Sequence, residues 1–369
     1  MICNQEGGRL PPYFSGDVMF NFDKKIGEGS EIFFGKPKGI YDTIVVSHPR
    51  LQELYLAQRA TDWMHNEFDL SKDREQLRSL DKGTRDLMLY NILFQWHLDS
   101  VAADNLFPLF APFLTNSEAS SLFSLNTSME YVHSMTYSEI VRQCIPDHEE
   151  LEKFIQDIEQ VRKRLEPIFG ILGNLSNAGC LYRVGEVSED ECYNILIKGL
   201  VTWWCMERIQ FMSSFAKTFG VVRTGTLQGV GNYVQKIMLD ELNIHAETMK
   251  YVIQHEMKTN PKQWKDLDNS LRKIVDTFVQ GEYDWIDFVL SNGRGVSGLS
   301  NTLLKMWVDY NADDVYVTLF GDSKKQVDNP LKWMDNWINP DKIQTANQEI
   351  ANGNYLLGVV VDDVDGEIV

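Results

Sequence analysis

The chain has 369 residues, enough to bury a substantial core as one large domain or two ordinary ones. Its 53 acidic residues outnumber 35 basic ones and give a formal charge of -18, which argues against a nucleic-acid backbone or an anionic membrane as partner. Five cysteines (Cys3, Cys144, Cys180, Cys192 and Cys205) fall in no C-x-x-C spacing and read as reduced thiols, not as a disulfide framework.

The start, "MICNQEGGRLPPYF", lacks the basic and apolar regions of a signal peptide, and no apolar run spans a membrane without a charge, so a cytoplasmic protein is expected. Glycine and proline are dense before residue 50, which predicts an irregular segment over 1–50. From there to about residue 320 apolar residues recur at three and four, the period of helices. "TRDLMLYNILFQWHLDSVAADNLFPLF" opens at a plausible cap, Thr84, and stops near Pro108. "MEYVHSMTYSEI" and "DHEELEKFIQDIEQVRKRLEPIFGIL" follow as helical stretches, and "GCLYRVGEVSED" is expected to form a short hairpin. Three more long helical stretches follow: "DECYNILIKGLVTWWCMERIQFMSSFAKTF", "GNYVQKIMLDELNIHAETMKYVIQHEM" and "NSLRKIVDTFVQGEYDWIDFVL". "GRGVSG", Gly293 to Gly298, fits the dinucleotide fingerprint formally but follows a helix, so it reads as a loop. The helical domain is taken as 51–339, and 340–369 as an acidic tail without helical period.

Ionisable residues stand on stripes that ought to be apolar. Glu130, His133 and Tyr137 share one helix face; Asp99 lies in "FQWHLDSVAA", Glu207 in "WWCMERIQFMSSF", and Glu241 with His245 in "IMLDELNIHAE". A lone buried acid is usually a hydrogen-bonded helix residue, and a lone E-x-x-H is common by chance. Four helices each supplying a carboxylate, two with a histidine one turn on, are a different matter. Four buried negative charges are costly unpaired, and two divalent cations balance them. Oxygen and imidazole donors suit iron or manganese, and the layout is that of an all-α, ferritin-like bundle with a dinuclear site in its core.

With these residues the chain resembles the small, radical-generating subunit of class I ribonucleotide reductase, from "FFGKPKGIY" to the C-terminus. The resemblance implies Asp99, Glu130, His133, Glu207, Glu241 and His245 as ligands of two iron ions, with manganese the alternative. The family usually spaces its last pair E-x-x-H, whereas here Ile244 holds that position and His245 comes one later. At about 100° per residue His245 still faces the way of Glu241, and a local π-bulge would absorb the extra residue. The resemblance further implies a stable radical on Tyr137, formed with dioxygen. Phe211, Phe215, Val234 and Ile237 stand at helical spacing to wall off such a radical, though ordinary core packing explains them equally.

By the same resemblance Trp63, Asp240 and His133 form an electron path, and Tyr355 relays the radical to the large catalytic subunit that reduces ribonucleotides. The tail, ending "VDDVDGEIV", is the expected docking peptide, and a homodimer is expected. The location would be host cytoplasm if a virus encodes the chain. Rival readings are a dimetal oxidase or desaturase, which has no use for Tyr355, and an iron-storage bundle, which needs neither Trp63 nor a sealed tyrosine.

Overall fold

A computed structural model describes residues 21–29, 31–145, 151, 158–324 and 328–339. The described residues up to Leu331 form a helical unit. Its helices are α1 (Pro49–Ala60), α2 (Ser71–Ser79), α3 (Lys82–Phe110), α4 (Ser117–Cys144), α5 (Ile158–Arg183) and α6 (Glu189–Cys205). They continue as α7 (Met212–Val222), α8 (Gln228–Asp240), α9 (Ala246–Thr259), α10 (Pro261–Asp266), α11 (Asp268–Val289) and α12 (Asn301–Phe320). The second unit begins at Lys332, and its described part is a 3-10 turn, Lys332–Met334, followed by the short helix α13 (Asp335–Ile338).

Local chemistry sets the ends. Asp81, not Thr84, caps α3, its carboxylate accepting from the Thr84 backbone N–H at 3.0 Å, and Pro108 sits inside the last turn. Asn116 caps α4 through the Ala119 N–H at 2.8 Å. The expected hairpin at "GCLYRVGEVSED" does not form. Helix α5 runs on to Arg183, and Gly185, at φ +74°, lets the chain turn while the Glu186 N–H closes on the Leu181 carbonyl. Ser188 and Glu191 then make a reciprocal capping box that starts α6. The sequence carries the S-x-x-E signal for that box, Ser188 to Glu191.

Helix α7 lies wholly inside the bundle, every residue buried, and so does the stretch of α3 from Asp86 to Gln95. The later turns of α3 open to solvent at Asp104 and Pro108. Helix α11 instead buries one stripe, Leu271, Ile274, Val275, Phe278, Glu282, Trp285, Ile286 and Val289. Helices α3 and α4 pack along much of their length. The lead-in attaches to the turn between them, the Phe34 N–H donating to the Phe113 carbonyl at 3.0 Å and Thr115 N–H to Ile32 at 2.9 Å. "GRGVSG" is a loop that closes over the start of α3: Thr84 Oγ1 donates to the Gly295 carbonyl at 2.9 Å. A Cβ on Gly83 would stand 2.1 Å from the Gly293 carbonyl oxygen, so only glycine fits there.

Two stretches depart from α geometry. Met206–Phe211 joins α6 to α7, and Glu241–His245 joins α8 to α9, both as π-helix. Each contains residues singled out above.

Candidate metal centre

Helix α3 supplies Asp99, α4 supplies Glu130 and His133, the first π segment Glu207, and the second Glu241 and His245. None is more than 2% exposed. Donor atoms of Glu130, His133, Glu241 and His245 lie within 4.8 Å of one another. His133 Nδ1 stands 2.9 Å from Glu241 Oε1, and His245 Nδ1 stands 2.9 Å from Glu241 Oε2 and 3.0 Å from Glu130 Oε1. These approaches lack hydrogen-bond direction. Both oxygens of Asp99, Glu130 and Glu241, Glu207 Oε2, His133 Nδ1 and both nitrogens of His245 have no hydrogen-bond partner, although all are buried. The donor atoms of Glu130, His133, Glu241 and His245 thus converge without hydrogen bonds between them.

The electrostatics say the same. Burial pushes the Asp99 and Glu207 carboxyls well above the usual range, and the neighbouring Glu130 and Glu241 charges push them further. Burial opposes charge on His245, but Glu241 and Glu130 outweigh it and bring the imidazole up to about 10. Burial likewise opposes charge on His133, yet Asp240, Glu130 and Glu241 hold it well above its ordinary value. For Glu241 the two imidazoles overcome burial and hold the carboxyl low. Side chains alone therefore gather protons where positive charge is short. Oxygen and nitrogen donors without hydrogen bonds, in a sealed site with an acidic excess, fit a pair of divalent cations.

Around this group lies a hydrogen-bonded layer. His133 Nε2 stands 3.1 Å from Asp240 Oδ2, and Trp63 Nε1 donates to that same oxygen at 2.7 Å. The Trp63 and His133 rings stack with centroids 5.8 Å apart and planes at 21°. Thus Trp63, Asp240 and His133 are brought together, Trp63 arriving from the segment between α1 and α2. Two partners escaped the sequence reading. Gln58 Nε2 donates to Asp240 Oδ1 at 3.0 Å, so both oxygens of Asp240 are engaged, and Trp203 Nε1 donates to Glu207 Oε1 at 2.7 Å. Trp203 stands four residues before Glu207, a spacing legible on a helix face; nothing in the sequence marked Gln58.

Tyr137 is fully buried, and its hydroxyl has no hydrogen-bond partner. Burial raises its pKa well above the ordinary phenol value, and the charges of Asp99, Glu241 and Glu130 add to the rise. Phe211, Phe215, Val234 and Ile237 are all fully buried, the two phenylalanine rings stacked at 5.7 Å. The extra residue before His245 is absorbed as the spacing predicts, by the π segment Glu241–His245, while the π segment at Glu207 was not foreseen. Tyr355 and the sequence "VDDVDGEIV" lie outside the described residues. Among the described residues no helix is long and apolar enough to cross a membrane.

Comparison with known proteins agrees with this geometry. The chain is 24% identical over 352 residues to the ribonucleoside-diphosphate reductase 1 subunit beta of Escherichia coli O157:H7, covering 90% of this chain and 93% of that one. It is 23% identical to the ribonucleoside-diphosphate reductase subunit beta of Enterobacteria phage T4, covering 91% and 94%. Among solved structures, the ribonucleotide reductase R2 subunit from Clostridium botulinum superposes with a TM-score of 0.75 at 21% identity, covering 87% of this chain and 98% of that chain. The dimanganese(II)-NrdF of Streptococcus sanguinis superposes at 0.65 and 17% identity, covering 81% and 99%. The fold is all-α and ferritin-like. A model of the family described as "Ribonucleotide reductase, small chain" matches residues 42–350, most of the sequence, and the chain belongs to that oxidoreductase family.

Proposed function

We propose that the chain is the radical-generating subunit of a ribonucleoside-diphosphate reductase, in which Asp99, Glu130, His133, Glu207, Glu241 and His245 hold two iron or manganese ions beside Tyr137. When bound, such a pair supplies the one-electron oxidising power, drawn from dioxygen, that a phenol needs to lose an electron. The remaining work falls to side chains. Both oxygens of Glu241 face an imidazole nitrogen, so this carboxylate would hold the ions together with His133 and His245. His133 bonds Asp240 through Nε2, which fixes its tautomer and turns Nδ1 toward the carboxylates. Burial of Tyr137 keeps water and reductants from its ring, and its hydroxyl makes no hydrogen bond that would pin the proton.

The observation that carries this reading is the bonded run from His133 through Asp240 to Trp63. A storage bundle has no need of an indole wired to a ligand histidine. The run ends at Trp63, itself buried on the segment between α1 and α2, and we assign Tyr355 and the acidic tail, 340–369, to the onward relay and to docking on a large catalytic subunit. The functional unit would be a homodimer bound to that partner in the cytoplasm, with 1–50 an irregular lead-in to the 51–339 domain.

The test is to load the metal-free protein with ferrous iron, admit air, and record electron paramagnetic resonance beside Tyr137→Phe. A sharp organic-radical signal in the unsubstituted chain alone is the expected result. A signal only after manganese loading with an oxidant-supplying partner would assign the pair to manganese. No radical with either metal would leave a dimetal oxidase and sink the proposal.

A further inference from the structure

The four carboxylates of the centre are not equivalent. Asp99, Glu130 and Glu241 leave both oxygens without a hydrogen bond, whereas Glu207 has only Oε2 unpartnered. Its Oε1 accepts from Trp203 Nε1 at 2.7 Å, and the donor is fully buried in the last turn of α6. The indole is held from outside as well, meeting the Phe110 ring edge-on at 6.1 Å. Neither partner can trade this bond for water.

We propose that Trp203 is a positioning residue for one half of the metal pair: its N–H fixes the Glu207 carboxylate so that Oε2 alone is offered to a cation, which makes the two cation positions unequal. This rests on the dimetal reading above. A carboxylate tethered through one oxygen is disfavoured from swinging to chelate through both, and its free oxygen is aimed before the cation arrives. Hydrogen bonds of this kind to metal ligands are worth about 10–100-fold in metal affinity. Trp63 reaches the other side of the centre only through Asp240 and His133. Trp203 acts on a ligand directly, so its loss is felt at the cation that Glu207 holds.

The experiment is a Mn(II) titration of the metal-free full chain, following the resonance signal of free aqueous Mn(II), which disappears on binding. Three proteins are compared: the unsubstituted chain, Trp203→Phe, and a chain carrying benzothienylalanine at position 203, which keeps the shape of indole but replaces N–H by sulfur. The unsubstituted chain is expected to take up two ions. Both variants should take up one ion with unchanged affinity and the other about 10–100-fold more weakly. Should Trp203→Phe not fold, the benzothienyl protein decides alone. Two ions bound as in the unsubstituted chain, or both weakened together, would overturn the positioning role, the second outcome assigning Trp203 to packing. If the unsubstituted chain bound no pair of ions, the metal-centre reading would fall and this inference with it.

Discussion

Two groups of charged side chains are buried in this bundle, and they are neutralised differently. At the centre of α3, α4 and the π segments, carboxylates outnumber the basic groups and all their oxygens but Glu207 Oε1 go without hydrogen bonds. Between α5, α7 and α11, Arg164 Nε donates to Glu282 Oε1 at 2.5 Å and the guanidinium lies 3.3 Å over the Phe94 ring, with Lys217 Nζ 2.9 Å from both the Ser213 carbonyl and hydroxyl. The second group brings its own opposite charges. The first has only two imidazoles against four carboxylates, an excess of acid that fits cations from outside the chain. Burial of acids is thus not a metal signal in itself; an uncompensated excess of unpaired oxygens is.

The comparison can be broken at either group, and the largest effect is expected at the first. Divalent ions at about 100 times their dissociation constants should stabilise the protein by about 2.7 kcal/mol per ion, some 5 kcal/mol for two. In Glu241→Ala, which removes the carboxylate that faces both imidazoles, calorimetry should show that gain mostly lost. Next comes Glu282→Ala. It strands the buried Arg164 guanidinium and should cost about 3–5 kcal/mol by chemical denaturation, while Mn(II) uptake stays at the unsubstituted level. A variant that lost metal as well would show the two groups to be one.

The smallest effect is a pH dependence. Burial lowers the Lys217 amine to about 7; Glu282 opposes the shift and Arg164 adds to it. Between about 7 and the ordinary lysine value of 10.5 the unfolded chain carries the extra proton, so stability rises with pH across that window and is lost as pH falls through it. The slope from this one group is at most about 1.4 kcal/mol per pH unit, and subtracting the profile of Lys217→Met should isolate it. A flat difference would mean that Lys217 is solvated in a way its hydrogen bonds do not suggest.

Much of the centre was legible because helical periodicity fixes which residues share a face. Asp99, Glu130, His133, Glu207 and Glu241 stood out as ionisable residues on apolar stripes, and all are fully buried. The family resemblance, not periodicity, is what paired Trp63 with Asp240 across 177 positions of sequence. Gln58 could not be found that way, since a glutamine in a short surface helix has many uses and its partner is distant. The hairpin expected at "GCLYRVGEVSED" failed because a break in helical period is a weaker determinant than a glycine C-cap followed by a capping box. The π segment at Glu207 left no trace in spacing, because no second ligand follows on that helix to reveal the extra residue.

The π segment at Glu241–His245 has a consequence for how this sequence could change. Removing Ile244 would restore E-x-x-H and, locally, an ordinary helix. Because the π segment absorbs the extra residue locally, the residues after it would keep their facing. Met249, Val252, Ile253 and Glu256, buried on one side of α9, would stay against the core. The effect of the deletion would fall on the centre, where the histidine would meet Glu241 from three residues on instead of four. A lineage could therefore gain or shed this residue without re-cutting a helix face, so a single-residue insertion here behaves as a reversible step.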